Sequence, residues 1–568
     1  MLTRWSAILL AAGLLPGLAP PSRLSAQDSP MRNEVERFSA DLAALHRRYD
    51  TEYSAERRQR LAAFFAEWDH RLRAMPFDQV VPEGRVDLIL LGNQIRYQQS
   101  LLVREERQWN EMQPLAPFAG RFLGLQEARR RLERVDPQGA ARALDSVVRV
   151  LEATRKTLEA PDAKPPSKVV ALRTAEMLTD LRRTLDRWYQ FSAGYDPVFS
   201  WWVADPWRKT DKGLQDYIKF LREKLAGFKE GADDPIIGDP IGADGLEDDL
   251  AHEMIPYTPA ELLTIAEREF AWTEAERLRA SRDMGFGDDW RAAMERVKTL
   301  YVSPGDQPQM IRELAEEAIR FVETRDLVTV PPLAREIWRM EMMSAAAQKV
   351  SPFFLGGEVI QVSYPTDSMT HEDKLMSMRG NNRHFSRATV QHELIPGHHL
   401  QGFMNERYQP HRRLFRTPFW TEGWALYWEM RLWDLGFPQT PEDRMGMLFW
   451  RSHRAARIIF SLRFHLGTMT PQEAIDFLVD RVGHERANAE AEVRRSFNGS
   501  YPPLYQAGYM LGGLQIRALY QALVASGQMT ERAFHDAILQ GGPMPSEMVR
   551  ARLTGQVLTP NFQSSWRF

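Results

Sequence analysis

From Arg32 onward, apolar residues recur at three- and four-residue spacing through stretches such as EVERFSADLAALHRRY, AERRQRLAAFFAEWDHRL and RALDSVVRVLEATRKTLEA. That period sets one stripe of side chains on one face of a helix. The charged residues between them fill solvated faces and carry no chemistry. Helix starts are signed further on. Thr258-Pro259-Ala260-Glu261 supplies an N-cap, a proline at the first helical position and a capping glutamate, and Thr470-Pro471-Gln472-Glu473 repeats the signal. One segment, GGEVIQVSYP (356–365), alternates β-branched and aromatic residues as a strand does and ends on proline. The pattern predicts a mainly α-helical protein with a small sheet. No glycine-rich nucleotide loop follows a strand, and no repeat falls at solenoid periods.

Two stretches interrupt the helical pattern. PDAKPPSK (161–168) reads as a connection that separates an N-terminal helical layer, 27–160, from a larger region, 169–568. GADDPIIGDPIGADGLEDD (231–249) reads as a surface or rim loop, since its acidic residues lack the regular ligand spacing of a calcium loop.

A chain of 568 residues exceeds one ordinary core. With 43% hydrophobic and 26% charged residues it has the profile of a folded, soluble protein. The 73 basic and 76 acidic residues nearly cancel, which leaves no electrostatic case for nucleic acid or an anionic membrane surface as partner. The first residues add a separate expectation. Arg4, an apolar run from Ala7 to Leu18 and a polar stretch around Ser25-Ala26-Gln27 have the layout of a signal peptide over 1–26, cleaved near Ala26. Pro16 and Pro20 interrupt a run already short of the roughly 20 residues of a spanning helix, so no transmembrane segment is expected in the mature chain. The expected location is periplasmic or secreted. The chain has no cysteine, which excludes disulfides and a lipid-modified cysteine, and a chain without thiols suits an oxidising compartment.

The candidate chemistry lies in TVQHELIPGHHLQ (389–401), which opens like the zinc-protease pattern H-E-x-x-H but carries Pro396 where the second histidine belongs. Catalytic zinc takes three protein ligands at about 2.0–2.1 Å for nitrogen and leaves a fourth position for water. His392 and His398 are six positions apart, which on a straight helix means about 9 Å of rise and roughly 120° off the shared face. His399 regains the face at about 10.5 Å of rise. A regular helix therefore cannot hold the ion. Pro396 removes the bond to the His392 carbonyl and clashes with it, and Gly397 tolerates unusual dihedrals, so a two-residue bulge would return His398 to the missing place. The other reading is a helix that ends at Ile395 with two unrelated histidines beyond. A similar string, AHEMIP (251–256), has no later histidine and reads as a helix end and linker.

A third ligand favours the metal. RTPFWTEGWALYWEMRL (416–432) opens with a Thr-Pro helix start and places Glu422 among aromatic residues, where a buried carboxylate is costly unless paired or metal-bound. Glu429, seven residues on and on the same face, is placed to orient a ligand or to hold a substrate amine. Pairing of both carboxylates with arginines is the competing reading.

HELIPGHHLQ followed by WTEGWALYWE resembles the bacterial family called domain of unknown function 885. That family is similar to the Glu-liganded zinc peptidases, including the helical thimet-type oligopeptidases and the Taq-type carboxypeptidases. The resemblance extends over nearly all of the mature chain, through YTPAELLTIAE, the strand before the motif and FHDAILQGG. It implies a large helical peptidase fold with a deep cleft, a small β-sheet beside the active-site helix, and one Zn2+ on the cleft floor. Region 169–568 would then be the metallopeptidase region. Matching GHHLQ to the family's related G-H pattern gives His392, His398 and Glu422 as metal ligands, Glu393 as the base, and His399 as a contact to a ligand or to substrate. Two softer matches follow. SHRAARIIFSLRFHLG (452–467) keeps Arg457 and His465 but has Ser461 where an aspartate is common. AEVRRSFNGSYPPLYQAGYMLGG (491–513) keeps Glu492, Arg495, Pro502, Tyr509 and Gly512 but departs at Ser496 and Pro503-Leu504. By this resemblance Tyr509 bonds the oxyanion with His465 as helper, while Arg495 pairs with Glu492 or serves a substrate carboxylate.

The expected function is zinc-dependent hydrolysis of amide bonds in short peptides, with a Glu general base acting on metal-activated water. The strand around Val359–Tyr364 is expected to hold an extended substrate by backbone pairing. The alternatives are hydrolysis of another amide or a cell-wall peptide link, and a non-catalytic metal-dependent binding protein. Glu393 argues against the last, because a site that only holds zinc needs no extra carboxylate beside the water.

Overall fold

The computed structural model describes residues 29, 31–231, 233–348 and 353–568, so the leader expected over 1–26 lies outside the described residues. The molecule is mainly α-helical. Helices start where the caps predict them: Thr258 and Thr470 accept the backbone N–H of Glu261 and Glu473, whose carboxylates bond back to the cap residues. Among the described residues no helix is long and apolar enough to cross a membrane.

The sheet has two parallel strands, β1 (Arg339–Met342) and β2 (Val359–Val362), with Met340 opposite Ile360. β2 lies inside the predicted segment. β1 reads Arg-Met-Glu-Met, without the β-branched residues that mark a strand, and its extended state comes from pairing with β2. Ile360 and Val362 are buried in one cluster with Val390 and Leu394, so the sheet rests against the helix that carries His392. β2 does not offer the free edge expected for a substrate. Leu355 occupies it: Gln361 N–H donates to the Leu355 carbonyl at 2.7 Å, and Leu355 N–H donates to the Gln361 carbonyl at 3.1 Å.

Two large cores account for the helices. One joins the first helices, such as Phe38, Phe65 and Leu91, to the C-terminal half. The other is built from residues 112–221, including Leu144, Val147, Leu178, Leu214 and Tyr217. The Pro-rich stretch 161–168 connects two helices of this second core, Pro137–Leu158 and Lys168–Ser192, so the division expected there does not coincide with a change of core. Its last residues serve the next helix, for Ser167 accepts the Val170 N–H at 3.2 Å as N-cap. The loop expected over 231–249 is shorter than the composition suggests. A helix forms over Gly242–His252 and buries Leu246 and Leu250. It ends at AHEMIP, where the His252 ring stacks on Tyr97 at 4.0 Å and its carbonyl accepts from Asn93 at 2.6 Å.

Three helices set the site's geometry. The central one, Pro441–His465, is buried on nearly every face and fixes the His392 helix through the Trp450 indole, which donates to the Phe385 carbonyl at 3.1 Å. The helix Pro418–Asp434 carries Glu422 and buries Trp420, Trp424 and Trp428, each adding about 4–6 kcal/mol of apolar burial before ordering costs. It lies against the helix Tyr505–Tyr520 with Gly423 facing Gly512; a Cβ on Gly423 would stand 2.6 Å from the Gly512 backbone. That close approach lets Tyr505 reach Glu422.

Candidate metal centre

The His392 helix, Arg383–Glu393, stops one residue after the histidine. Leu394 leaves helical dihedrals, with φ −106° and ψ −107°, and a new helix begins at His398. The chain thus breaks over four residues where a two-residue bulge in a continuing helix was expected. Three bonds hold the break: Gly397 N–H donates to the Gln391 carbonyl at 3.0 Å, His399 N–H to the Leu394 carbonyl at 3.0 Å, and the Trp424 indole to the Pro396 carbonyl at 2.9 Å. As a result the His392 and His398 rings stand 4.8 Å apart at 88°.

Glu422 meets both imidazoles. Its Oε2 lies 3.1 Å from His398 Nε2 and 3.6 Å from His392 Nε2. Two ligands bound at 2.0–2.1 Å and at a tetrahedral angle stand about 3.3 Å apart, so these spacings suit a shared ion. Glu429 accepts from His392 Nδ1 at 2.7 Å, and Arg454 backs Glu429 at 3.4 Å. With Nδ1 carrying the proton, Nε2 is the nitrogen aimed at Glu422. The Tyr505 hydroxyl donates to the other oxygen of Glu422.

A second carboxylate adjoins the pair. Glu393 brings an oxygen within 4.8 Å of ring nitrogens of His392 and His398, and these three residues are the group able to hold a metal among the described residues. Unlike Glu422, the Glu393 carboxyl is committed to no hydrogen bond or ion pair among the described residues. Burial pushes its pKa up, against the pull of the His392 and His398 charges. Burial also opposes the charge on Glu422, but His398 and His392 hold its carboxyl well below the usual range. For His392, burial favours the neutral ring; Glu422 and Glu429, one on each nitrogen, outweigh it and carry the pKa up to about 9. The pocket is built to receive positive charge, and two imidazoles with a carboxylate are the donor set of a catalytic zinc with an open position.

The site opens on a cavity of about 200 Å³, lined also by Phe353–Gly356, Trp450, Arg454, Arg457, Arg495, Tyr501 and Tyr509. A larger hollow of about 820 Å³ beside Leu88 and Phe562 gathers no metal-ligating cluster among the described residues. Tyr509 stacks near His392, with ring centroids 6.0 Å apart, and Arg454 and Arg457 lie over its ring at 4.6 and 4.4 Å. Burial pushes the Tyr509 hydroxyl above its ordinary range, so it stays a donor.

The structure does not bring every expected residue here. His399 turns away and bonds the Ala334 carbonyl at 2.6 Å, because it lies one position round the new helix from His398. His465 lies two turns beyond Arg457 at the end of the central helix, packed on Phe464 and Phe497 and outside the cavity lining, so it cannot assist Tyr509. Arg495 lines the cavity and pairs with Glu492 at 2.7 Å. Two residues passed unnoticed in the sequence, Tyr505 and Arg454. Each stands one helical turn before a residue that was singled out, Tyr509 and Arg457, and that spacing was the available signal.

No curated protein matches this sequence. Two solved structures share the fold. One, a candidate lipoprotein of unknown function from Shewanella oneidensis, is 18% identical with a TM-score of 0.66, over 92% of this chain and 98% of that one. The other, a candidate lipoprotein from Colwellia psychrerythraea, is 16% identical with a TM-score of 0.57, over 89% and 92%. Residues 40–553 match the family described as bacterial protein of unknown function, DUF885, and the chain belongs to that family.

Proposed function

We propose that the protein is a zinc-dependent hydrolase of amide bonds in short peptides. The observation that carries this reading is the convergence of His392, His398 and Glu422 at ligand spacing beside the uncommitted carboxyl of Glu393. His392 Nε2, His398 Nε2 and Glu422 Oε2 would hold the ion, and a bound zinc supplies a water of lowered pKa and polarises the carbonyl. Glu393 takes a proton from the attacking water and passes it to the leaving amine. Tyr505 is occupied in orienting Glu422, whereas the Tyr509 hydroxyl is free among the described residues to donate to the developing oxyanion. The signal-peptide layout expected over 1–26 and the description of both structural neighbours as lipoproteins support export, although this chain has no cysteine to carry a lipid.

Metal analysis of the purified protein beside cleavage of a mixed short-peptide library tests the reading. One zinc per chain with cleavage is expected. Zinc without cleavage sinks the catalytic part, and no metal after zinc supplementation sinks the site itself. His398→Ala is expected to abolish metal retention. His399→Ala is expected to keep it, at a stability cost of about 1–3 kcal/mol from the unpaired Ala334 carbonyl, and more from the space left by the buried ring. The reverse pattern would assign the ligand to His399. Glu429→Gln, which weakens the hold on His392 Nδ1, is expected to lower zinc affinity about 10- to 100-fold in a chelator competition. Unchanged affinity would deny Glu429 its orienting role.

A further inference from the structure

On one part of the cavity wall two guanidiniums share a single carboxylate. Arg457 Nε donates to Glu492 Oε1 at 2.7 Å and Arg495 Nε donates to Glu492 Oε2 at 2.7 Å. Gln506 adds a third donor at 3.2 Å. Glu492 is thus shared by two guanidiniums and neutralises one of them. His453, 3.6 Å from Glu492, and His484, bonded to His453 at 2.9 Å, add no anion. The third arginine of the wall, Arg454, is turned to Glu429.

Arg457 is 1% exposed, yet its Nη1 has no hydrogen-bond partner. A buried guanidinium nitrogen left in this way is costly. Arg457 is also among the residues that line the cavity, and both it and His392 pack on the ring of Tyr509, at 4.4 and 6.0 Å. Arg495 lies beside it, less deeply buried, with its guanidinium 5.7 Å from the Tyr501 ring. Paired guanidiniums present the forked donors that a carboxylate accepts on both oxygens.

We propose that Arg457 and Arg495 bind a carboxylate of the substrate, so that the site selects short peptides carrying a free carboxylate next to the bond to be cut. The inference rests on the peptidase reading above and names its substrate class. Two sources share this chemistry, the α-carboxylate of a C-terminal residue and the side chain of an aspartate or glutamate. With either, the small cavity and the fixed distance from the arginines to the metal ligands set which amide is reached.

The test is calorimetric binding to zinc-loaded Glu393→Gln protein, which binds peptides while turnover is impaired. The probes are an N-acyl dipeptide acid, its C-terminal amide, and an amide of the same length with an aspartate side chain. The acid is expected to bind about tenfold or more tightly than the plain amide. Adding Arg495→Gln is expected to bring the two within about twofold, with Arg495→Lys between, since the lysine keeps the charge but loses the fork. Arg495 is preferred to the deeply buried Arg457 because its replacement is the safer for folding. Tight binding of the aspartyl amide would assign the carboxylate to a side chain, and weak binding to the chain end. Equal affinity for acid and amide overturns the proposal. So does a preference that survives Arg495→Gln, which would place the carboxylate on the metal. Zinc content measured on the same samples separates this failure from failure of the metal reading: a zinc-loaded protein without preference refutes only the arginine site.

Discussion

Glu393→Gln is expected to keep one zinc per chain while losing about 10²- to 10⁴-fold in kcat, the usual worth of a general base. Three features set this expectation. The carboxyl of Glu393 belongs to the cluster with His392 and His398, yet it makes no bond that would hold it in a structural role. Glu422, by contrast, is fully engaged by His398, His392 and Tyr505, so it is the carboxylate a metal would share. Glutamine has the shape of glutamate, so the ligands stay in place and only the proton acceptor is removed. Metal content and steady-state rates on any cleaved peptide are the two readouts. Zinc loss in this variant would make Glu393 a ligand and exchange the roles of the two carboxylates. Full activity with zinc retained would leave the site without its base and move the proton transfer elsewhere.

How much of this was legible in the sequence follows from how local each feature is. Helices and their caps are written in residues a few positions apart, and Thr258, Thr470 and Thr417 all cap where they stand. β2 is a local signal too, whereas β1 exists only through its partner and left no trace in Arg-Met-Glu-Met. The Pro-rich stretch misled for a related reason. Proline marks the end of a helix but not which core the next helix joins, and here both neighbours join the same one. Of the candidate site residues, those near the motif meet in space because a helix break and one close helix pair carry them together. His465 shows the limit. Its spacing from Arg457 is about 2.2 turns, so it lies roughly 80° round the helix and about 12 Å further along, and the helix has run past the cavity before reaching it. Which side of an element faces the site is readable from period; how far along it the site extends is a tertiary matter.

Gly397→Ala is expected to abolish metal retention at zinc concentrations that saturate the wild type, and to lower the unfolding midpoint. Its φ of −78° is open to any residue, so the constraint is space. A Cβ at Gly397 would stand 1.8 Å from the carbonyl oxygen of His392 and 2.6 Å from that of Gln391. No rotamer relieves a clash between a Cβ and backbone, so the loop from Leu394 to His398 must move off the end of the His392 helix. That movement costs about 1–3 kcal/mol as overpacking. It also draws His398 away from His392 and Glu422, and a misplacement of about 1 Å at such a site suffices for a 10²-fold loss of function. Gly402→Ala, four residues after His398 in the same helix, is the control. Nothing lies within 4 Å of a Cβ there, and alanine in a helix interior is expected to be neutral or to stabilise by about 0.5–1 kcal/mol with zinc retained. Equal zinc binding by both alanine variants would show that the carbonyl of His392 can yield, and that the late histidine reaches its place without this contact. Loss in the first alone makes the Pro-Gly pair the device that turns an H-E-x-x-x-x-H spacing, unusable on any straight helix, into a pair of converging ligands.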